Sequence, residues 1–269
     1  MQAVTLNNGV EMPQIGLGTF ALKEQAIVSA LQTGYRMLDT AWQYGNEEEV
    51  GNAVRHSGIE RKDIFITTKL WTDHIRQHTV REAFEDSLRK LQTDYVDLYL
   101  IHWPAEGFDA AWKVMEELYA EGRVRAIGVS NCHVQHLELL AKVSDIVPAV
   151  NQVESSPLFN NEALIQYSRD RGIVPEAWCP LGGSGCYKRV LENPLIMDMA
   201  HRYNRTEAQI VLRWHIQRGI VIIPRSSDGE RQRKNIDVTD FELTAEDMAV
   251  IAGIDTGRRV GANPDTFNF

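Results

Sequence analysis

The sequence is poor in cysteine and has no long hydrophobic run. Its 269 residues include only three cysteines, Cys132, Cys179 and Cys186, whose number and spacing fit neither a disulfide framework nor a zinc site. Free thiols are typical of a reducing cytoplasm, which is the expected location. No apolar run approaches the roughly 18 residues of a membrane span, and residues 1–16 lack the pattern of a signal peptide. We therefore expect neither a secreted disulfide scaffold nor a membrane protein.

Positive charge is also in the minority. The chain has 28 Lys and Arg residues against 37 Asp and Glu residues, a net charge of −9. Because such a surface repels phosphate backbones and anionic lipids, we expect no nucleic-acid or membrane partner. Low-complexity linkers and abrupt changes of composition are missing as well. Residues 1–269 are therefore predicted to form a single domain, at a length that is usual for one α/β barrel.

The spacing of apolar residues predicts a parallel sheet built from βαβ units. The alternating segment Ala3–Met12 surrounds an Asn-Asn-Gly turn and predicts an amino-terminal β-hairpin. Short apolar runs then alternate with amphipathic segments such as Val80–Leu91, whose apolar side chains fall on one helical face. The eight predicted strands are Gln14–Gly18, Tyr35–Asp39, Ile64–Lys69, Val96–Ile101, Ala126–Ser130, Pro148–Gln152, Ile173–Trp178 and Ile220–Pro224.

Eight such units are typical of a closed (β/α)₈ TIM barrel, which is the predicted fold class. An open doubly wound sheet would give the same rhythm. The turn of the first strand, however, has Gly16 and Gly18 but lacks the third glycine of a dinucleotide-binding G-x-G-x-x-G turn. Later helices are predicted over Pro194–Arg202, over Thr206–Gln217, and over Thr244–Ile254 with a capping box at its start. The tail Asp255–Phe269 should form a loop across one end of the barrel.

Four chemically useful side chains end neighbouring predicted strands or closely follow them: Asp39, Tyr44, Lys69 and His102. Singly, each fits an ordinary structural role, but together they lie at the end of a barrel where ligand sites form. An ammonium lowers the pKa of a nearby phenol, which is normally about 10, and an aspartate keeps that ammonium charged. A neutral imidazole can polarise a carbonyl oxygen. The set predicts protonation of an oxygen while a cofactor delivers hydride to the adjoining carbon.

Six segments of the sequence follow the motifs of a known superfamily. Asp39–Glu47 reads D-T-A-W-Q-Y-G-N-E, where the motif is D-T-A-x-x-Y-G-N-E. The other five are Thr67–Trp71, Asp97–Pro104, Gly128–Asn131, Asn151–Glu154 and Ile223–Ser226, the last with Arg in place of Lys. In these segments the chain resembles the aldo-keto reductases, from Gly16 to about Asn235. Within that superfamily it looks most like the bacterial 2,5-diketo-D-gluconate reductases.

The resemblance implies a role for each site residue. Tyr44 would be the general acid, Asp39 and Lys69 its tuning pair, and His102 the residue that orients the carbonyl. The cofactor would be NADPH, with Trp178 stacked on its nicotinamide ring. The implied cofactor-binding residues are Gly18, Thr19, Asp39, Ser130, Asn131, Gln152, Trp178, Cys179, Pro180, Leu181, Gly182, Arg225, Ser226, Ser227, Asp228, Arg231 and Asn235. Substrate would contact Phe20, Trp42, Tyr44, Trp71, His102 and Trp103. We expect no metal site, and a monomer.

Two departures from the family pattern stand out. The segment Trp178–Gly185 has Cys179 where Ser is common, and its glycines fit either a flexible strap over the cofactor or a simple loop. Ser156 replaces the histidine of the family's N-Q-x-E-x-H-P, which is expected to alter local packing.

The charged segment Arg225–Lys234 holds four positive and two negative residues. By itself such a run is typical of a solvated helix face. Its position after the last strand favours a phosphate site at a helix amino terminus. The resemblance assigns Arg225, Ser226 and Arg231 to the adenosine 2′-phosphate and Asn235 to the adenine, which favours NADPH over NADH.

The predicted function is therefore NADPH-dependent reduction of an aldehyde or ketone. Candidate substrates are 2,5-diketo-D-gluconate and small α-dicarbonyls such as methylglyoxal. Two alternatives stay open. One is an NADPH-binding, redox-sensing barrel that acts through a partner protein. The other is a barrel hydrolase, which would need metal ligands or a carboxylate pair such as Asp39 and Glu154.

Overall fold

The alternating amino-terminal segment forms a short antiparallel hairpin in the computed structural model, which describes residues 2–267. Strands β1 (Ala3–Thr5) and β2 (Glu11–Pro13) pair around a turn in which Gly9 adopts a φ of +84°, a conformation that favours glycine. The side chain of Asn7 donates hydrogen bonds to the carbonyls of Val147 and Pro148. The hairpin therefore covers the end of the molecule at which the strands begin.

Within the described residues, eight further strands pair in parallel, each with its neighbour in sequence. These are β3 (Leu17–Gly18), β4 (Met37–Asp39), β5 (Phe65–Leu70), β6 (Val96–Ile101), β7 (Val124–Ser130), β8 (Val150–Glu154), β9 (Val174–Trp178) and β10 (Val221–Ile222). A parallel bridge joins Ile15 to Ile222, and the N–H of Gly16 donates to the carbonyl of Ile222 at 2.8 Å. First and last strands are thus joined. The closed ladder confirms the predicted barrel and excludes the open sheet.

The amphipathic segments form helices around this barrel. They are α1 (Glu24–Thr33), α2 (Glu47–His56), α3 (Thr72–Arg76), α4 (Val80–Leu91), α5 (Phe108–Ala120), α6 (Val134–Val143), α7 (Glu162–Arg169), α8 (Gly183–Leu191), α9 (Pro194–Tyr203), α10 (Glu207–Gln217), α11 (Gly229–Ile236) and α12 (Ala245–Ala252). No helix among the described residues is both long and apolar enough to cross a bilayer. Alternation along β6 divides the core: Tyr99 packs toward the helices, whereas Leu98 and Leu100 fill the barrel interior.

Two sequence expectations change in detail. The glycine-rich segment Trp178–Gly185, predicted as a strap or a loop, turns at residues 179–182 and then enters α8 at Gly183, directly after Gly182 at a φ of +85°. The predicted capping box at Thr244 is only half formed. The Thr244 hydroxyl accepts the N–H of Asp247, but the Asp247 carboxylate binds Arg202 and Tyr203 rather than the Thr244 N–H. Contacts with α9 therefore replace only the second hydrogen bond of the capping box.

Candidate active site

A cavity of about 810 Å³ opens where the barrel strands end. The predicted site residues that line it are Gly18, Thr19, Phe20, Asp39, Tyr44, His102, Trp103, Ser130, Asn131, Gln152, Trp178, Cys179, Pro180, Leu181 and Arg225. A second cavity of about 340 Å³ shares Leu181 and Arg225 with the first. Its other predicted lining residues are Ser226, Ser227, Asp228, Arg231 and Asn235. The two cavities therefore adjoin one another.

A buried ion pair forms the floor of the large cavity. The Nζ of Lys69 lies 2.6 Å from Asp39 Oδ1 and also donates to the carbonyl of Thr40 at 2.9 Å. Both charged side chains are almost completely buried. Burial acts most strongly against the charge of Lys69, but the combined attraction of Asp39, Tyr44 and Glu176 outweighs it and raises the pKa of the ammonium. Lys69 is therefore a fixed positive charge at physiological pH.

Tyr44 lies beside this pair. Its ring centroid is 5.1 Å from the Nζ of Lys69, and Phe20 packs against it edge to face at 5.1 Å. Burial raises the pKa of the Tyr44 phenol above its usual value, and the ammonium of Lys69 opposes that rise. Lys69 lowers the pKa of Tyr44, as predicted, but burial raises it by more. The phenol is thus fully protonated at neutral pH and holds a proton that it can donate.

His102 completes the cluster as a neutral imidazole. Burial, together with the charge of Lys69, holds its pKa well below the usual range. Its ring lies 5.7 Å from that of Tyr44 and 5.2 Å from that of Trp71. The Nδ1 atom is buried without a hydrogen-bond partner among the described residues. The single proton of the ring is therefore better placed on Nε2, where an oxygen atom in the cavity can accept it.

Amide and hydroxyl side chains form the opposite wall. Asn131, at a left-handed φ of +59°, donates to the carbonyl of His102 at 3.0 Å and accepts the indole N–H of Trp178 at 2.9 Å. The hydroxyl of Ser130 donates to the carbonyl of Gln152 at 2.9 Å. These bonds hold the wall rigid on the ends of β7, β8 and β9.

Four predicted site residues line neither cavity. Lys69 lies beneath the large cavity, and Gly182 precedes α8. Trp71 packs behind His102. Trp42 packs edge to face on His74 at 4.5 Å and donates its indole N–H to Asp86 at 3.3 Å. Trp42 and Trp71, which were predicted to contact the substrate, therefore do not line the cavity.

The comparisons with known proteins agree with this geometry. A sequence profile described as the aldo/keto reductase family matches residues 14–256. The chain belongs to the aldo/keto reductase family. It is therefore an oxidoreductase acting on carbonyl groups.

Relatives in the family are similar over nearly the whole chain. The glyoxal reductase of Bacillus subtilis (strain 168) is 44% identical, across 99% of this chain and 97% of its own length. The methylglyoxal reductase DkgA of Escherichia coli (strain K12) is 42% identical, across 98% of this chain and 97% of its own. A Bombyx mori aldo-keto reductase solved in complex with NADP matches with a TM-score of 0.91 at 33% identity, covering 98% of this chain and 96% of that one.

Some residues of this reductase cavity were missed in the sequence. Tyr187, Lys188 and Arg189 of α8 line it, although no helix was predicted over these residues. The pair Cys186 and Val190, both buried at a spacing of four residues, is a helical signal that the glycines obscured. The departure at Ser156 is accommodated locally, where the residue is buried and pairs with Phe159 in an antiparallel bridge.

The carboxyl-terminal tail lies against the end of the barrel at which the strands finish, as expected from the sequence. Glu154, at the end of β8, accepts the backbone N–H of Val260 at 2.6 Å and that of Gly261 at 3.0 Å. Farther along, Phe267 stacks on Trp103 with ring centroids 4.1 Å apart. The carboxylate of Glu154 therefore fixes the tail directly beside the cavity.

Gly261 makes this anchoring testable because a Cβ atom at that position would lie 2.4 Å from Trp178 Cη2. We expect Gly261→Ala to displace the tail from the indole at a cost of about 1–3 kcal/mol. The weakened bonds to Glu154 should speed hydrogen exchange at the backbone amides of residues 260 and 261, measured by NMR. Ala262→Ser, at an exposed neighbouring position, is the matched control. Unchanged exchange in Gly261→Ala would show that the tail is not held against Trp178.

Proposed function

We propose that this protein is an NADPH-dependent carbonyl reductase whose substrates are small α-dicarbonyls such as methylglyoxal and glyoxal. The observation that carries the proposal is the buried Lys69–Asp39 pair beside Tyr44 and a neutral His102 at a cavity of suitable size. The names of two relatives, a glyoxal reductase and a methylglyoxal reductase, support the substrate class.

The residues of the two cavities fit a dinucleotide phosphate cofactor. The large cavity offers an aromatic surface at Trp178 and polar groups at Ser130, Asn131 and Gln152, which suit a nicotinamide with its carboxamide. The second cavity lies at the amino terminus of α11, with Arg225 and Arg231 in its wall. A helix amino terminus and two guanidinium groups suit a phosphate. When bound, the cofactor supplies the hydride that no side chain can donate.

The chain's own residues then manage the oxygen and the proton. The imidazole N–H of His102 donates a hydrogen bond to the carbonyl oxygen of the substrate and polarises it. The Tyr44 hydroxyl donates its proton to the same oxygen as the carbonyl is reduced. Lys69 stabilises the phenolate that remains, and Asp39 keeps the ammonium in place. Aromatic side chains such as Phe20 and Trp103 cover the apolar part of the substrate.

The two alternative functions have less support. A hydrolase would need Asp39 and Glu154 as a working pair, but Asp39 binds Lys69, and Glu154 binds the tail. No group of three or more metal-binding side chains comes together among residues 2–267. A purely sensory barrel has no use for a proton donor with a buried tuning pair. The reductase accounts for all four residues.

Replacing Tyr44 with Phe tests the proton donor. The variant keeps the aromatic ring and removes the hydroxyl, so we expect kcat to fall by at least ~100-fold, since general acid catalysis is lost. The dissociation constant of NADPH should change little. Tyr119→Phe, on α5 far from the cavity, is the matched control. Near-normal turnover of Tyr44→Phe with methylglyoxal would contradict the assignment.

The substrate class is tested by initial rates of NADPH oxidation with four carbonyl compounds. A second carbonyl withdraws electrons from the first, so methylglyoxal and glyoxal should give higher kcat/KM than propanal, the matched monocarbonyl. The fourth compound is 2,5-diketo-D-gluconate. A higher kcat/KM with it would show that the preferred substrate is a keto sugar acid rather than a small α-dicarbonyl. Absence of NADPH oxidation with all four would reject the reductase.

The preference for NADPH is tested at Arg231, which lines the second cavity. We expect Arg231→Ala to raise the NADPH dissociation constant by roughly 10- to 100-fold, the scale of one charge-assisted contact of ~1.5–3 kcal/mol. NADH binding should hardly change, because NADH has no 2′-phosphate. The difference should shrink as salt rises. Arg233→Ala, on the same helix but outside the cavity, is the control. Equal weakening of both cofactors, measured by fluorescence titration, would exclude phosphate recognition by Arg231.

A further inference from the structure

One buried carboxyl group of the barrel interior has no part in the chemistry described above. Glu176 lies in the middle of β9, is completely buried, and is directly opposite Gln152 of β8 in the strand register. A carboxyl group in a protein interior costs free energy unless it has hydrogen-bond partners. Its contacts therefore indicate what it does.

Glu176 and Asp39 share the side-chain amide of Gln152. The Nε2 of Gln152 lies 2.8 Å from Glu176 Oε2 and 2.8 Å from Asp39 Oδ2. An amide nitrogen carries two hydrogens, both in the plane of the amide, and here each has its own acceptor. One acceptor alone would let the amide pivot about a single bond. Two acceptors fix the whole plane, and with it the direction of the carbonyl Oε1.

The charge of Asp39 also decides which end of the amide faces the carboxyl groups. Burial raises the pKa of Asp39, but the ammonium of Lys69 at 2.6 Å opposes that rise and favours the carboxylate. The Gln152 oxygen would therefore be repelled if the amide were turned around. Burial and the charge of Asp39 raise the pKa of Glu176 to about 8. At neutral pH, Glu176 is therefore mostly uncharged, and its Oε2 accepts the N–H without placing a second negative charge beside Asp39.

The neighbouring polar residues use their hydrogen-bond donors within the protein. Asn131 uses both ends of its amide within the protein, and Ser130 donates its hydroxyl hydrogen to the Gln152 backbone. The Oε1 of Gln152, by contrast, takes no part in the bonds to Asp39 and Glu176, and Gln152 lines the cavity.

We propose that Glu176 is a positioning residue for the cofactor: together with Asp39 it orients the Gln152 amide so that Oε1 accepts an N–H of the nicotinamide carboxamide. This inference rests on the proposed function, because it requires a nicotinamide cofactor in the large cavity. Glu176 itself touches neither cofactor nor substrate.

The test compares two variants with two cofactors. Glu176→Met removes the acceptor at nearly the same length, whereas Glu176→Gln keeps an acceptor oxygen and removes only the acid. The cofactors are NADP⁺ and 3-acetylpyridine adenine dinucleotide phosphate, in which a methyl group replaces the carboxamide nitrogen. The readout is the ratio of their two dissociation constants for each protein. Binding of 2′,5′-ADP, which lacks the nicotinamide, is the control for the rest of the site.

The wild type should bind NADP⁺ more tightly than the analogue. Glu176→Met should reduce this preference by about three- to tenfold, the scale of one neutral hydrogen bond, without changing its affinity for 2′,5′-ADP. Glu176→Gln should keep the wild-type ratio, because its side-chain oxygen still accepts the N–H of Gln152. If Glu176 acted through its charge, this variant would lose the preference as well. If Glu176→Met does not fold, Glu176→Ala takes its place with the same expected loss.

Three results would overturn the inference. The first is a ratio of dissociation constants in Glu176→Met that equals that of the wild type. The second is a loss of preference in Glu176→Gln as large as that in Glu176→Met. The third is equal affinity of the wild type for NADP⁺ and the acetylpyridine analogue. Failure of the wild type to bind NADP⁺ and 2′,5′-ADP would instead reject the proposed function itself, so the two failures are distinguishable.

Discussion

A single buried ion pair governs the polar half of the barrel interior. Moving an ammonium or a carboxylate from water into a protein costs several kcal/mol for each ion unless the two are paired and hydrogen-bonded. Lys69 and Asp39 meet this condition at 2.6 Å, and the carbonyl of Thr40 and the amide of Gln152 supply further bonds. Because water is excluded, the pair influences its neighbours strongly. Lys69 opposes the rise in the pKa of Tyr44 and helps to keep His102 neutral, whereas Asp39 favours the protonated form of Glu176.

The closed barrel makes such a pair possible. Its strands satisfy their own backbone groups, so the interior needs only side-chain partners. Apolar side chains such as Met37, Leu98 and Val221 fill the half nearer the hairpin. The polar cluster occupies the other half, where the strands end and loops can bring in further groups. This division separates the part of the interior that stabilises the fold from the part that carries the chemistry.

The groups that react and the groups that enclose the cavity come from different kinds of structure. Asp39, Lys69 and Gln152 lie on strands, while His102 and Asn131 directly follow strands, so the ladder fixes their spacing. Tyr44 lies in a short helical turn, Trp42–Tyr44, shortly after β4. Helix α8 and Phe20 line the cavity. The tail beyond residue 256 lies beside it and is held by individual contacts such as the bonds to Glu154. Within such a family, changes in the segments around the cavity can alter which substrate is bound, while the proton-donating cluster stays the same.

The sequence by itself determined the barrel, the order of its strands and the position of four polar residues at strand ends, because apolar periodicity and local motifs are encoded in short segments. It determined α4 to the residue but missed α8, since glycine content outweighed a weak helical spacing. Only the tertiary structure decided that burial outweighs Lys69 in setting the pKa of Tyr44, that Trp42 lies outside the cavity wall, and that Glu176 reaches Gln152. These outcomes depend on desolvation and on contacts between residues distant in sequence, and neither can be read from a segment alone.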